Sequence, residues 1–425
     1  MKHHIVEELG KVHYVSATAD CWSDAHRAYM GITCHYLEGP SMKRKAYALA
    51  CRRIVGSQNY QVLTELMVQI FQEFSITDKL CGVVTDNGSN FCKAFRLFGE
   101  EDHVPTSQAV DEEQSYSEEA QEGVVEGDTV ASEPIDLQAT LARTRSIDLE
   151  PQLQKHFRCA CHNLNLIATT DIQVALNEAC HSIDPNDRLW HKKFKTAHRR
   201  VMGSLSKLWK LQNTSTRTAD TMKKELGRYL LVPNQTRWNS TFDALELVDK
   251  LIRTKKESFR RVLRSVNLSL SADDHNFIRQ FVLCYAPFAK ALDFLQGEKQ
   301  AYLGYLLPTL ARLREMLQNV IERQQDTQLV RPLAKALVCG LEKRFATNWE
   351  DRNALIAAAY VPEFKLGSNT TWPWIPAERR NEVRSMLQEE MTEVSKMINI
   401  YNSTVVCIFL NSFINSVDEC SLKYF

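Results

Sequence analysis

The chain of 425 residues lacks any apolar run approaching the roughly 20 residues that cross a bilayer. Its opening stretch, MKHHIVEELGKVHYV, has no apolar core followed by a small-residue cleavage site. Neither secretion nor membrane insertion is expected. A cysteine framework is also missing. The 12 cysteines are scattered, mostly in apolar runs such as those around Cys34, Cys51, Cys81 and Cys284, and read as small buried hydrophobes in a reducing compartment. The one tight cluster, RCACHNLNL, with Cys159, Cys161 and His162, has no second Cys/His pair nearby to complete four ligands, so structural zinc is not expected. The sharpest absence is of positive charge: Glu100 to Asp136 holds 13 acidic residues and no Lys or Arg. Subtracting those 13 from the 52 acidic residues of the chain leaves 39 against 52 basic, so a formally neutral protein divides into an acidic segment and a basic remainder.

With 44% hydrophobic and 24% charged residues, the rest of the chain can bury ordinary cores. HYVSATAD alternates, placing Tyr14, Ser16, Thr18 and Asp20 on one face and Val15, Ala17 and Ala19 on the other, as in a strand. Two more strand-like runs, AYMGITCHYLEG and MKRKAYALACRRIVG, flank a Gly39-Pro40 turn, which predicts an antiparallel meander. Leu63, Leu66, Met67, Ile70, Phe71 and Phe74 have helical spacing. KLCGVVTD then reads as a buried strand, and Phe91, Ala94, Phe95 and Phe98 as a second helix. The order is β-β-β-α-β-α.

The Glu-, Ser- and Gln-rich segment cannot bury enough apolar surface to offset chain entropy and reads as a disordered insertion. Order is expected to resume near Pro151 with a strand, KHFRC, and a helix from about Cys161. Beyond Asp184 the strand signals fade. Phe277, Phe281, Cys284, Tyr285, Phe288, Leu292 and Leu295 share one helical face, and Leu303, Leu306, Leu307, Leu310, Leu313 and Leu317 another. Pro287 and Pro308 are expected to bend or bound these helices.

Asp20 and Asp86 each end a predicted strand of the α/β unit. Carboxylates converging at the carboxyl ends of neighbouring strands, with Asn87 and Asn90 nearby, make an oxygen-rich site suited to Mg²⁺. Two such ions would activate an attacking oxygen and stabilise the leaving one in phosphodiester chemistry, but two carboxylates rarely hold two ions. On the residues alone, Asp86-Asn87-Gly88-Ser89 reads equally as a turn and helix N-cap.

Eight segments occur in an order that resembles the hAT-superfamily transposases and their host-adopted relatives, the zinc finger BED domain-containing proteins. They are TADCWSDAHRAYMGITCHYLE, YALACRRIVG, VVTDNGSNFCKAFRLFG, RCACHNLNL, SLSKLWKLQ, VPNQTRWNSTFDALE, APFAKALDFLQGEK and AAAYVPEFKL. The resemblance covers about residues 11 to 370. It implies a ribonuclease H-like domain interrupted by a large all-helical insertion, joining and cutting DNA with a metal-binding Asp, Asp, Glu triad. Asp20 is similar to the first acid and Asp86 to the second. Cys159 and His162 match the family's Cys-x-x-His motif, and Arg237-Trp238 its Arg-Trp motif, whose tryptophan can stack on DNA. The family's N-terminal BED finger and its C-terminal dimerisation segment, the source of the catalytic glutamate, have no counterpart in the motifs found. Glu298 and Glu390 are the remaining carboxylates considered, and both read as solvated helix residues.

Two basic tracts could neutralise phosphates and support sequence-independent, salt-sensitive DNA binding. One comprises His191, Lys192, Lys193, Lys195, His198, Arg199, Arg200, Lys207 and Lys210; the other comprises Arg253, Lys255, Lys256, Arg260, Arg261 and Arg264. Solvated helix faces explain either equally well. Trp238 is as readily a core residue as a stacking platform, and Cys159 with His162 as readily a core pair as a ligand set.

The sequence therefore predicts an α/β plus all-α protein. Residues 1–99 and 151–183 form a ribonuclease H-like domain split by an acidic insertion at 100–150, with a helical domain at 184–398 and an atypical tail at 399–425. The expected function is that of a transposase-derived nuclear protein binding DNA or partner proteins without completing transposition. The alternatives are an active Mg²⁺-dependent transposase or nuclease, and a protein-interaction scaffold. Self-association is open, since the family's dimerisation region is not recognised.

Overall fold

The computed structural model describes residues 2–24, 26–38, 43–99, 152–178, 185–234, 238–297, 302–322, 328–361, 364, 375 and 379–401. Almost all of the expected acidic insertion and of the tail lies outside them. The chain forms two compact units, Met1–His162 and Asn163–Phe425.

The first unit is built on a mixed sheet: β1 (Val15–Asp24), β2 (Arg27–Glu38), β3 (Lys43–Ile54), β4 (Leu80–Thr85) and β5 (His156–Arg158), in the order β3-β2-β1-β4-β5. β1, β2 and β3 pair antiparallel as the predicted meander, while β4 and β5 add parallel to β1 on its other side. Alternation sorts the faces. Val15, Ala17, Ala19, Met30, Ile32 and Cys34 point into a core shared with α1 (Lys2–Gly10), α2 (Tyr60–Glu73) and α3 (Ser89–Phe98). The predicted stripe of α2 supplies Leu63, Met67, Ile70 and Phe71, and Asn59 caps its first turn by accepting from the backbone of Val62.

Helix α1 departs from expectation, which had the chain entering β1 almost at once. Its apolar stripe is only Ile5 and Leu9, too short to register as a period. It is held by distant partners: Lys79 Nζ donates to the carbonyls of Leu9 and Gly10 at its C-terminal end, and Lys2 pairs with Glu73 at 2.9 Å. Cys51 and Cys81 also depart: both are exposed, because each falls on the outward phase of its strand. Gly82 lets β5 approach β4, since a Cβ there would lie 2.5 Å from the Phe157 ring. Leu153 donates from its backbone N–H to the Phe98 carbonyl at 2.6 Å, which joins the end of α3 to the approach to β5.

The second unit is helical among its described residues. A short helix, α4 (Ala160–Leu166), leads into it, followed by a π turn at Ile167–Asp171 and α5 (Ile172–Glu178). Then come α6 (Pro185–Thr214), α7 (Thr216–Leu226), α8 (Trp238–Thr254), α9 (Lys256–Ser265) and α10 (Ala272–Gln296). α11 (Leu306–Glu322), α12 (Arg331–Arg344), α13 (Ala346–Glu350), α14 (Arg352–Tyr360) and α15 (Arg380–Tyr401) complete it. The α10 stripe is buried as predicted at Phe277, Phe281, Cys284, Tyr285, Phe288 and Leu292. Pro287 does not bound this helix, which runs through it. Pro308 lies in the first turn of α11, where a missing N–H costs nothing. The π turn is fixed by Arg344, whose Nε and Nη2 grip both oxygens of Asp171 at 2.5 and 2.7 Å.

Candidate functional site

Register brings the two predicted acids together. β1 and β4 run parallel with Ala19 opposite Thr85, so Asp86 follows the end of β4 beside Asp20, which does not end its own strand as expected, because β1 stays paired with β2 as far as Asp24. β5 adds beside β4 with Arg158 opposite Thr85, which puts Cys159 at the end of the third strand, its N–H donating to the Thr85 carbonyl at 2.8 Å. His162 follows one turn into α4. Ligand sites commonly occupy this end of parallel strands.

Electrostatics reports the same proximity. Partial burial, and then the charge of Asp86, hold the Asp20 carboxyl above the usual carboxylate range, while a Cys21 backbone bond and the His162 imidazole pull the other way. Burial and the same two carboxylates push the Cys21 thiol up to about 12, against a hydrogen bond with the Gln58 side chain. Cys21 is thus a neutral thiol, not a nucleophile. Asp86 also does the local job that the turn reading assigned to it: Oδ1 accepts from Gly88 N at 2.9 Å, just before α3.

Sequence reasoning named Asn90 and Cys159 but missed their partners, and it missed Gln58, Thr85 and His156 altogether. Asn90, in the first turn of α3, donates from Nδ2 to the Gln58 carbonyl at 2.6 Å, so it holds the loop whose side chain meets Cys21. Thr85 Oγ1 and His156 Nε2 lie 2.9 Å apart, and the His156 ring stacks on Phe95 with centroids 4.2 Å apart. Burial, helped by Arg158, lowers the His156 pKa to about 4, so the ring is neutral at pH 7. Cys159 hydrogen-bonds with Cys161. That donation, joined by the backbone N–H groups of His162 and Cys161, outweighs burial and favours its thiolate, while Cys161 is driven upward. Cys159 and His162 are both partly buried.

Among the described residues, no group of three or more His, Cys, Asp or Glu side chains is disposed to hold a metal ion. Mg²⁺ commonly takes one or two carboxylates and keeps its waters, so the donor set Asp20 and Asp86 suits one such ion better than two. Glu298 lies outside the described residues. Glu390 is on α15, 3.9 Å from Arg352.

On α6, Lys192, Lys193, Arg199, Lys207 and Lys210 are exposed over about 27 Å of helix. The other members of the tract face partners. Lys195 donates to Asn177 Oδ1 at 3.0 Å, and Arg200 pairs with the Asp274 carboxylate at 2.6 Å, where that residue closes the α10 capping box. His191 is buried, and His198 packs among Phe194, Phe277 and Phe281, where burial lowers its pKa. These two histidines therefore leave the basic face. In the second tract, Arg253 pairs with Asp249, Arg260 with Glu257 and Arg261 with Glu225, and Lys255 caps α7 through the Leu226 carbonyl. Arg237 lies outside the described residues, as does the side chain of Trp238, which opens α8.

No model of a known protein family matches the chain, and no characterised protein matches it either.

Proposed function

We propose that this is a transposase-derived nuclear protein that binds nucleic acid. Its α/β unit, in this reading ribonuclease H-like, retains two acids of a phosphodiester-cleaving site without completing the chemistry. One observation carries the reading: β1, β4 and β5 bring Asp20, Asp86, Cys159 and His162, four of the residues singled out by the hAT resemblance, to the place where the parallel pairing of these strands ends. The mixed strand order, with a meander followed by two parallel strands, is compatible with it. The exposed cations of α6 supply sequence-independent phosphate contacts.

Asp20 and Asp86 would hold one Mg²⁺ largely through water, which would relieve their mutual repulsion and polarise a phosphoryl oxygen. That repulsion favours the second reading, an active metal-dependent nuclease or transposase. Incubation with supercoiled and linear DNA in Mg²⁺ or Mn²⁺ separates the two. No cleavage is expected, and nicking abolished by both Asp20→Ala and Asp86→Ala would establish the active alternative. Failure to bind duplex or single-stranded DNA at low salt would instead leave a protein-interaction scaffold.

A further inference from the structure

The face of the sheet opposite the core carries an aromatic pair beside the acids. Asp20 lies directly across from Gly31, and the next outward row pairs Trp22 with Tyr29 and Tyr29 with Arg53. The rings of Trp22 and Tyr29 are stacked, with centroids 6.0 Å apart and planes 21° apart. Trp22 also leans back over the row of the acids: a Cβ on Gly31 would lie 2.8 Å from its Cζ3 and 3.1 Å from Cη2. Only the absence of a side chain at Gly31 lets the indole lie there. Yet the ring is not covered, for Trp22 is 43% exposed, an unusual state for the largest apolar side chain. Arg27 and Arg53, which flank the pair, are exposed and have no ion-pair partner among the described residues.

We propose that Trp22, seated over Gly31 and backed by Tyr29, is a stacking platform for an unpaired base of single-stranded nucleic acid. This inference rests on the nucleic-acid reading above and adds to it the form of the strand at the acids. An open π face takes any base, and arginines at its rim take the adjoining phosphates. A paired duplex buries its base faces and could not use the indole in this way. The strand would thus be held with its backbone near Asp20 and Asp86.

The test measures the affinity of the full chain at low salt for three labelled probes: an oligothymidylate, an all-abasic strand of equal length, and a duplex. The abasic strand keeps the phosphates and lacks the bases. The wild type is expected to prefer the oligothymidylate over the abasic strand by roughly 5- to 150-fold. Trp22→Ala is expected to erase that preference while changing duplex affinity less than about twofold, and Trp22→Phe to restore part of it. The ring is half-exposed, so neither change should cost folding, which a thermal melt checks. Equal affinity of the wild type for base-bearing and abasic strands would overturn this inference alone, as would an unchanged preference in Trp22→Ala. No binding of any probe would sink the nucleic-acid reading and this inference together.

Discussion

Charges do opposite work in the two units. In the helical unit the best-buried pairs are matched: Arg344 with Asp171, Arg200 with Asp274, Arg253 with Asp249, Arg261 with Glu225. In the α/β unit, burial and then the charge of Asp86 raise the Asp20 carboxyl, and burial keeps His156 neutral. Matched charges fix helix geometry, whereas unmatched ones store unfavourable energy that a bound cation could release.

The largest effect that would break this contrast is at the Arg344 pair. Both side chains are about four-fifths buried, so Arg344→Ala leaves the Asp171 carboxylate without its partner, at a cost of about 3 kcal/mol in denaturant unfolding of the helical unit. A loss below about 1 kcal/mol would show the pair to be incidental.

His156 gives an effect of similar size in the other unit. Its folded pKa of about 4 lies below the unfolded value of 6.5, so the stability it supports is present above pH 6.5 and is lost as pH falls toward 4. The full loss amounts to roughly 3 kcal/mol. His156→Gln should flatten the unfolding free energy across that window; an unchanged acid slope would mean the ring is not buried neutral.

The two basic tracts differ within the helical unit itself, and DNA binding should expose the difference. Neutralising Lys192, Lys193 and Arg199 together is expected to reduce the slope of log affinity against log salt by about 2.7, at roughly 0.9 per phosphate contact. Neutralising Arg253 and Arg261, both engaged with carboxylates, should alter that slope far less. Equal changes in the two variants would show that the internal ion pairs open on binding.

The smallest effect has the opposite sign from the first. A carboxyl with a raised folded pKa loses stability as pH climbs through the window above the ordinary carboxylate range. Asp20→Asn is therefore expected to raise the melting midpoint slightly at pH 7 and to leave it unchanged at pH 3. A fall at pH 7 would mean that the Asp20 charge supports the fold.

Much of this architecture was legible because burial imposes a period. Strict alternation along HYVSATAD and the stripes from Leu63 to Phe74 and from Phe277 to Leu292 are one-dimensional records of which face meets a core. The same record named Asp86, since a strand followed by polar turn chemistry shows its own end, but it ended β1 at Asp20, four residues before the strand stops at Asp24. Helix α1 was not legible, because its anchors are Glu73 and Lys79, some seventy residues away. The exposure of Cys51 and Cys81 and the inward turn of His191 and His198 depended on strand phase and helix rotation, which composition does not carry.

The sequence by itself determined the meander, β4, the stripes of α2, α3, α10 and α11, the acidic segment and the choice of the two acids, because these follow from local periodicity and chain chemistry. Only the tertiary structure decided which charges are matched, that Asn90 reaches Gln58, and that Trp22 lies over Gly31 beside Asp20. Those outcomes turn on which strands share a register and which helices face one another, and a register is set by contacts between residues far apart along the chain.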